Sequence, residues 1–443
     1  MNLQFWPVYN PPDMKQLTTL LLFIFLCTSC IEEQCEQTVI VQGFEPQIVN
    51  ADVWRANNVF TCWAPIDICE TTSFYVYQQY LFMVEDGEGL HILDNSDPTN
   101  PLPVTWMPVQ GGQGLAVRNN ILYINQYTDL LAFDLSDPKI PTFVSRTEDV
   151  FEPGSVFASV LGDGSFVANW TATGEERVVD CSSPNAGREV WFEGNRAYAT
   201  SDFALSNATN TANSGGSSET VGQGGSLARF TIAGSTLYAV DDSRLKAFSL
   251  ADARAPEYVA NINLGWGVET IFPTQDKLFI GTTTGMQIFG IDDPLNPEHL
   301  STFEHVLSCD PVVVSGDLAY VTLWGGRDCG SQGDQLEVID VSDARNPQSL
   351  QITPMEASHG LGVADGKLFL CSQYLGFRTF DLTDEGLLGE ELDSKQDINA
   401  RDVILLPHQK TAIVLGYYQD GIQQYTYDNR GQLSAASRIN VCE

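Results

Sequence analysis

A short strand-and-turn pattern recurs along this 443-residue chain and constrains its fold more than any other feature. The first copy, residues 86–101, joins a glycine turn, an apolar strand and a second turn that contains Ser-Asp-Pro. Further copies begin at Leu130, Leu245, Met286, Leu336, Phe377 and, in a worn form, Ile422. Most copies are about 40 residues apart, which is the length of one four-stranded propeller blade. The sequence therefore predicts an all-β protein, a single β-propeller of seven four-stranded blades, with eight blades as the alternative.

The second copy shows how one repeat supplies four strands. Residues 115–117 form a short inner strand, residues 121–127 alternate apolar and polar side chains, residues 130–135 carry the signature, and residues 142–145 form the outer strand. Such alternation, bounded by Gly, Pro, Asn and Asp, indicates strands. Because one sheet cannot bury both of its faces, neighbouring blades must stack and close into a ring.

The turn after each signature strand is rich in aspartate and proline. An Asp or Ser side chain can accept a hydrogen bond from a nearby backbone N–H there, and Pro presets φ for the turn. The alternative is a site for calcium or another metal, which needs several oxygen ligands around one ion. Since these aspartates occur about once per blade, we expect turn chemistry and assign no cofactor.

The strand Leu-x-Val-Ile-Asp-Val-Ser-Asp at residues 336–343 resembles the LVIVD repeat, which is found in bacterial and archaeal surface and secreted proteins. The resemblance covers residues 73–150 and 225–430. It includes the Cys-Asp-Pro-Val-Val segment that begins at Cys309 and the His-Gly-Leu-Gly segment that begins at His359, which resemble features of lipoprotein members. The resemblance implies a β-propeller and no established reaction.

Residues 14–30 resemble a bacterial lipoprotein signal. A short n-region at Met14 and Lys15 precedes an apolar core at residues 20–26, and Thr-Ser-Cys ends the segment at Cys30. The core is too short to span a bilayer as a helix. We expect Met14 to be the true start and Cys30 to be lipidated, although Cys27 stands where the usual pattern has an aliphatic residue. A plain secretory signal is the alternative.

The residues after this signal indicate that the protein is located in the cell envelope. Glu32 and Glu33 resemble the surface-export signal of Bacteroidota lipoproteins. We expect an outer-membrane lipoprotein, either at the cell surface or facing the periplasm. Its residues 1–30 are the signal, residues 31–72 are a linker and ring-entry segment, and residues 73–443 are the propeller.

The charge of the chain limits its partners. It has 22 Lys and Arg against 57 Asp and Glu, a formal net charge of −35. Such a surface repels phosphate backbones and opposes both self-association and binding to anionic lipid through basic residues. We therefore expect a monomeric ring that binds no nucleic acid and contacts the membrane only through its lipid.

The long insertion in the fifth repeat lies between two cysteines. An exported chain favours disulfides, and Cys309 and Cys329 flank the inner hairpin of that repeat. A bridge between them would contribute about 3 kcal/mol according to the loop-closure estimate. We predict this disulfide.

A second disulfide is expected where the ends of the ring meet. Cys442 is next to the C-terminal residue, and Cys62 and Cys69 precede the first repeat. A bridge from Cys442 to either of them would join the two ends. The partners of the remaining cysteines stay open. These are Cys35, Cys181 and Cys371.

Residues 151–225 interrupt the repeat. Strands are predicted at residues 165–170 and 177–180, and a strand-turn-strand unit at residues 189–199. The first two form either a degenerate extra blade, which would give eight, or a hairpin that extends the second blade. Residues 207–225, rich in Ser, Gly, Asn and Thr, are predicted to be a flexible loop.

The first strand of each propeller blade lines the central channel, so the residues that begin these strands are candidate ligands. They are Gln113, Arg229, Glu269, Asp310, His359 and Asp402. His359 is the best single candidate, because His can ligate metal or transfer protons. With Asp310, Glu269 and Asp402 it could form a metal site of one nitrogen and several oxygen ligands. The alternative is that these groups cap strand ends and solvate the channel.

The motifs favour binding over catalysis. The histidines lack the H-E-x-x-H spacing, and the chain has neither a G-x-S-x-G elbow nor a phosphate loop. Trp266, Trp324 and Tyr374 on loops of the same mouth would contact a partner or a glycan, or pack between blades. We expect a non-catalytic binding or scaffolding module whose partner is an envelope protein or glycan. The alternative is a channel-mouth enzyme, such as a metal-assisted hydrolase of an extracellular polymer.

Overall fold

The computed structural model divides the chain into two compact units. It describes residues 38–57, 60–69, 71–85, 88–151, 165–180, 190–193, 196–200, 221–241, 243–304, 311–324, 334–417 and 420–442. The smaller unit comprises Met1–Glu45 and Thr171–Ala204, and the larger one comprises Pro46–Trp170 and Leu205–Glu443. The larger unit contains seven four-stranded blades in a ring, so the predicted seven-bladed propeller is confirmed.

Each blade is built from four consecutive antiparallel strands. Counted along the chain, the strands are β1 (Thr38–Asn50), β2 (Thr71–Tyr77), β3 (Tyr80–Glu85), β4 (Gly89–Asp94), β5 (Leu102–Pro108), β6 (Leu115–Arg118), β7 (Ile121–Gln126), β8 (Asp129–Asp134), β9 (Thr142–Thr147), β10 (Ser165–Asp180), β11 (Val190–Glu193), β12 (Arg196–Thr200), β13 (Gln223–Gly224), β14 (Phe230–Ala233), β15 (Thr236–Val240), β16 (Arg244–Ser249), β17 (Glu257–Asn263), β18 (Val268–Pro273), β19 (Lys277–Thr282), β20 (Gly285–Gly290), β21 (Glu298–Glu304), β22 (Val312–Ser315), β23 (Leu318–Leu323), β24 (Gln335–Asp340), β25 (Gln348–Pro354), β26 (Ser358–Ala364), β27 (Lys367–Ser372), β28 (Gly376–Leu382), β29 (Leu388–Lys395), β30 (Ala400–Leu406), β31 (Thr411–Gly416), β32 (Ile422–Tyr427) and β33 (Leu433–Ile439). Blades 1 and 2 are β2–β5 and β6–β9, and blades 3 to 7 are β14–β17, β18–β21, β22–β25, β26–β29 and β30–β33. The helices are α1 (Ala51–Asn57) and a 3-10 turn at Pro407–Gln409.

The strands differ in burial according to their place in the blade. First strands of successive blades contact one another and therefore line the channel. Second strands such as β7 are buried along their whole length, because both faces of the sheet pack on neighbouring blades. Fourth strands such as β17 alternate exposed and half-buried residues at the rim. We call the side where first strands begin the top face, and the side where they end the bottom face.

Buried tyrosines connect several blades to the next one. The third residue of the second strand is aromatic in six blades, and in three of these it is a tyrosine. Each of those hydroxyls donates to a carbonyl in a turn of the next blade, Tyr123 to Ala253 at 2.8 Å, Tyr238 to Pro294 at 2.6 Å and Tyr320 to Gly386 at 2.8 Å. The repeated aromatic ring is therefore buried within its blade, and where it is a tyrosine its hydroxyl also attaches the blade to its neighbour.

The aspartates of the repeated turns accept local backbone hydrogen bonds. Asp94 Oδ1 accepts the N–H of Ser96 at 2.9 Å, and Asp340 Oδ1 accepts the N–H of Ser342 at 2.9 Å. The backbone hydrogen bond from Ser96 is the main reason why the pKa of Asp94 is lowered. These contacts are the turn chemistry expected from the Ser-Asp-Pro pattern.

The ends of the ring are joined covalently. Cys69 forms a disulfide with Cys442, and the N–H of Cys442 donates to the carbonyl of Ile68 at 2.7 Å. Of the two partners predicted for Cys442, which were Cys62 and Cys69, the structure has Cys69. Cys62 and Cys371 are the described cysteines that form no disulfide. Cys30, Cys309 and Cys329 lie outside the described residues.

The irregular middle of the chain forms a separate sheet together with β1. Strand β1 pairs antiparallel with β12, and β11 and β12 form the predicted hairpin. The strand order is β10-β1-β12-β11, and β10 is one continuous strand instead of the two that were predicted. The described part of the middle is thus neither an eighth blade nor an extension of blade 2. No helix in the described ranges is long and apolar enough to cross a membrane.

Candidate functional site

A glycine-rich segment, residues 221–228, lies in the central channel, and we call this segment the plug. It contacts the first strands of blades 1, 2, 4, 6 and 7, and the chain then enters blade 3. Gln223 and Gly224 form β13, which pairs with Val76 and Tyr75 on the inner edge of β2. Residues 221–225, which were predicted to belong to a flexible loop, are therefore part of the propeller core.

The plug runs through the channel from the bottom face to the top face. Near the bottom, the N–H of Gly222 donates to the carbonyl of Val117 at 2.9 Å. Nearer the top, Ser226 bonds to Asp402 close to the start of β30, and the carbonyl of Ala228 then accepts the N–H of Ile271 on β18 at 2.8 Å. The edges of first strands expose backbone N–H and C=O groups toward the channel. Some of these groups form hydrogen bonds with the plug.

Asp402 attaches the middle of the plug to blade 7. Its Oδ1 accepts the hydroxyl of Ser226 at 2.8 Å, the N–H of Ser226 at 3.0 Å and the N–H of Val403 at 2.8 Å. The Ser226 hydroxyl oxygen also accepts the N–H of Leu361 at 2.9 Å. One serine of the plug therefore connects blades 6 and 7.

Glycine allows the plug to approach this closely. A Cβ on Gly225 would overlap the carboxylate of Asp402, and a Cβ on Gly222 would overlap the ring of Tyr75. Glycine lacks the Cβ and therefore lets the backbone of the plug pack directly against these side chains.

His359 lies beside Asp402 at the top mouth of the channel. Gly360, the next residue, packs against Asp402 so closely that a Cβ there would overlap its carboxylate. The Tyr417 hydroxyl lies 2.9 Å from His359 Nδ1, and the Trp324 ring is centred 4.5 Å from the imidazole. The Arg401 guanidinium lies over the Tyr417 ring at 5.6 Å. Blades 5, 6 and 7 thus contribute to one aromatic cluster around this histidine.

Burial shifts the pKa values of the titratable groups at this mouth. Burial lowers the pKa of His359 to about 3, and the charge of Arg401 acts in the same direction. Burial raises the pKa of Asp402 to about 7, although hydrogen bonds from Ser226 and Val403 oppose the shift. Burial also raises the pKa of Cys371, and the negative charge of Asp402 adds to this effect. At neutral pH, His359 and Cys371 are therefore uncharged.

The other residues predicted for this site begin first strands as expected. Gln113, Arg229 and Glu269 are half-buried at the starts of blades 2, 3 and 4. The backbone N–H of Gln113 donates to Asn125 Oδ1 at 2.9 Å, which holds the chain ahead of β6. Asp310 lies outside the described residues. Within the part of the chain that is described, no three His, Cys, Asp or Glu side chains are grouped to hold a metal ion.

The sequence interpretation placed Trp324 at this mouth but missed Ser226, which contacts Asp402, and Tyr417, which contacts His359. Ser226 belongs to a Gly-Gly-Ser sequence that composition alone assigns to a loop, and Tyr417 follows a second strand that carries no motif. One feature of the sequence could have indicated the plug: the glycine run lies directly before the inner strand β14. A segment that leads into an inner strand must pass the channel mouth.

A small cavity remains in the channel on the bottom side of the plug. Its volume is about 210 Å³, and its lining includes Gln223, Phe272, Val314, Val363 and Leu405. This volume corresponds to about seven water molecules, since each occupies about 30 Å³ in the liquid.

Two large aromatic side chains project from the top face. Trp266 precedes β18 between two glycines and is 81 % exposed, and Tyr374 in the turn between β27 and β28 is 69 % exposed. Such aromatics bury large areas when a partner binds, and Tyr and Trp are enriched at interfaces. The top face is therefore the better candidate for a contact surface.

The comparisons with known proteins agree with this architecture. Residues 70–105, which contain the first three strands of blade 1 and part of the fourth, match the LVIVD repeat. The predicted resemblance to LVIVD-repeat propellers is thereby confirmed. No curated protein sequence matches the chain.

Solved propellers align with most of the chain at low sequence identity. A periplasmic gluconolactonase from Pseudomonas aeruginosa aligns with a TM-score of 0.52 and 10% identity, covering 84% of this chain and 97% of that one. A functionally unknown protein from Desulfotomaculum acetoxidans aligns with a TM-score of 0.50 and 10% identity, covering 81% and 95%. At such identities the likeness shows the fold alone.

Proposed function

We propose that this LVIVD-repeat β-propeller is a cell-envelope lipoprotein that acts as a non-catalytic binding or scaffolding module. The observation that carries the proposal is the plug. The channel mouth is where polar groups from several blades converge, and here the chain's own residues 221–228 occupy it. A substrate would have to displace this segment to reach the channel.

The polar groups at the mouth support binding over catalysis. The Asp402 carboxylate accepts hydrogen bonds from Ser226 and Val403, and His359 is only 6 % exposed beneath aromatic rings. A general acid or base must come within hydrogen-bond distance of its substrate. Asp402 and His359 instead contact other residues of this protein. This favours the alternative that the polar groups at the mouth have a structural role.

The top face supports a contact with an envelope partner. Trp266 and Tyr374 are large, exposed and borne on short turns between rigid strands. Binding residues are often carried by loops that a rigid scaffold positions. The strongly negative chain disfavours phosphate-rich partners, which leaves an envelope protein or a glycan.

Lipidation is tested directly in cells. A clickable fatty-acid analogue should label the wild-type chain and should not label Cys30→Ser, whereas Cys62→Ser should keep the label. The Cys30→Ser protein should also leave the membrane fraction. Equal labelling of the Cys30→Ser and wild-type proteins would overturn the lipoprotein assignment.

Binding is tested by affinity purification of the tagged, lipidated protein, with bound proteins read by mass spectrometry and bound glycans by sugar analysis. We expect a stoichiometric partner that is lost from the variant with Trp266→Ala and Tyr374→Ala. The matched control replaces Ile140 and Leu295 by alanine, which are exposed apolar residues in bottom-face turns. Equal loss from both variants would contradict the top-face contact.

The enzyme alternative has its own test. Purified protein is incubated with gluconolactone, because a propeller of similar fold is named a gluconolactonase, and with envelope polymers. We expect no turnover above the buffer rate. Turnover that disappears in His359→Gln would contradict the non-catalytic proposal.

A further inference from the structure

The small cavity beside the plug lies between the plug and the first strands of several blades, and we call it the bottom cavity. In the lower half of the channel the plug bonds to the first strands of blades 1, 2 and 7. Blades 4, 5 and 6 contribute Phe272, Val314 and Val363 to the wall of the cavity. Its lining also includes Ser315 and Pro407, which are exposed at the bottom face, so the cavity can be entered from there.

The side chains that line the bottom cavity carry no charge. Phe272, Val314, Val363 and Leu405 are apolar, and no Asp, Glu, Lys, Arg or His is among the described residues of the wall. A charged ligand would therefore lose its hydration without gaining a partner, which is costly. The cavity is suited to an uncharged molecule.

The wall also presents backbone hydrogen-bonding groups, the first of them on blade 5. Strand β22 pairs with β23 so that Val314 lies opposite Ala319. The N–H of Thr322 donates to the carbonyl of Pro311 at 3.2 Å. Bonded and non-bonded pairs alternate along an antiparallel ladder, so Val314, three residues after Pro311, belongs to a non-bonded pair. Its N–H and C=O therefore point away from β23 and toward the channel.

Blade 6 presents a second such residue. The N–H of Leu361 points into the channel and donates to the Ser226 hydroxyl oxygen at 2.9 Å. Val363, two residues further along β26, directs its own N–H and C=O to the same side. Among the contacts of the described residues, the plug bonds to Leu361 but not to Val314 or Val363. Fixed donors and acceptors thus lie next to apolar side chains in the same cavity.

The volume of the cavity limits the size of a ligand. About 210 Å³ corresponds to about seven water molecules, and hence to a ligand of about seven non-hydrogen atoms. An amide supplies one N–H donor and one C=O acceptor, which are the groups that a neighbouring strand offers to a strand edge. A short branched hydrocarbon group fills the remaining space.

We propose that the bottom cavity is a binding site for a small, uncharged carboxamide with a branched apolar group. The amide bonds to the inner-edge backbone groups of Val314 and Val363, and the apolar group contacts Phe272 and Leu405. This ligand enters from the bottom face and leaves the plug in place. The inference therefore does not depend on the proposed contact at the top face.

The test compares four probes of similar shape on the full wild-type chain by saturation-transfer NMR. Isovaleramide has the proposed chemistry, isovalerate and isoamylamine carry a charge on the same branched chain, and methyl isobutyl ketone keeps the carbonyl but lacks the N–H. We expect saturable binding of isovaleramide with a Kd of about 1 mM or lower. The two ions should bind at least about tenfold more weakly. The ketone should bind about two- to tenfold more weakly, because it loses one hydrogen bond.

A pair of matched variants locates the site. Val363→Phe places a larger side chain in the cavity and should weaken the binding of isovaleramide at least about tenfold. Val259→Phe makes the same replacement on the exposed fourth strand β17 and should leave the affinity unchanged.

Three results would overturn the inference. The first is the absence of saturable isovaleramide binding to the wild type. The second is an affinity for isovalerate or isoamylamine that equals or exceeds the affinity for isovaleramide. The third is an equal affinity of Val363→Phe and Val259→Phe for isovaleramide. The first two comparisons use the wild type alone, so they decide the matter even if Val363→Phe fails to fold.

Discussion

The side-chain amides of Asn95 and Gln424 exchange two hydrogen bonds across the junction of blades 1 and 7. Asn95 Nδ2 donates to Gln424 Oε1 at 3.0 Å, and Gln424 Nε2 donates to Asn95 Oδ1 at 2.7 Å. Both side chains are buried, and the residues are 329 positions apart in the chain. The pair lies where the ring closes, so it links the first and last blades without a shared strand.

Removing one member of this pair should destabilise the ring. Asn95→Ala or Gln424→Ala leaves a buried amide unpaired, which costs about 1–3 kcal/mol. The double variant should cost less than the sum of the two, and the coupling energy from urea denaturation measures the pair. The control is Asn100→Ala on the surface, expected within about 0.5 kcal/mol of wild type. Additive effects of the two single variants would show that the pair contributes nothing specific.

The Cys69–Cys442 disulfide should stabilise the same junction. The bridge closes a loop with a sequence separation of 373 residues, for which loop-closure entropy sets an upper limit of about 6 kcal/mol. We expect the variant with Cys69→Ser and Cys442→Ser to unfold at lower urea concentration than the wild type. Cys62→Ser, which removes a thiol that forms no disulfide, is the control. An unchanged midpoint in the double variant would contradict this role.

The tyrosine hydroxyls between blades should each contribute a small, measurable amount. Tyr123→Phe or Tyr320→Phe keeps the buried ring and leaves the carbonyl of Ala253 or Gly386 without its donor. We expect a loss of about 1 kcal/mol for each, from urea denaturation. Phenylalanine already occupies the equivalent place in three blades, so the ring should still fit. Tyr374→Phe on the exposed top face should change nothing, and an equal loss there would refute the interpretation.

The stability of the whole ring should depend on the protonation of Asp402. Burial raises the native pKa of this group to about 7, above the unfolded value of about 3.9. The native state thus binds more protons between these values, and the contribution of Asp402 to the free energy of unfolding falls as pH rises through this window. The slope is at most about 1.4 kcal/mol per pH unit.

This pH effect is measured as a difference between two proteins. The free energy of unfolding of Asp402→Asn minus that of the wild type should increase from pH 5 to pH 7 and remain constant above pH 7.5. Other titrating groups cancel in the difference because both proteins share them. A difference that does not change with pH would show that Asp402 has an ordinary pKa in the folded chain.

Much of the fold could be predicted because its determinants are local. The aspartate-bearing turns after the third strands recur in most blades, and the aromatic third residue of the second strand recurs in six of the seven. Each of these signals acts between residues a few positions apart, and a repeat of fixed length implies that the resulting units stack. A propeller, with seven blades favoured over eight, and the first-strand positions of His359 and Asp402 followed from this pattern.

The site required the tertiary structure because its contacts join distant segments. Ser226 meets Asp402 176 positions later in the chain, and its Gly-Gly-Ser sequence does not by itself indicate this partner. In the same way, composition could not choose between Cys62 and Cys69 as the partner of Cys442. The sequence by itself thus determined the repeating blade and its turns, whereas the occupant of the channel, the partner of Cys442 and the pKa of Asp402 depend on burial and proximity that arise only when the ring closes.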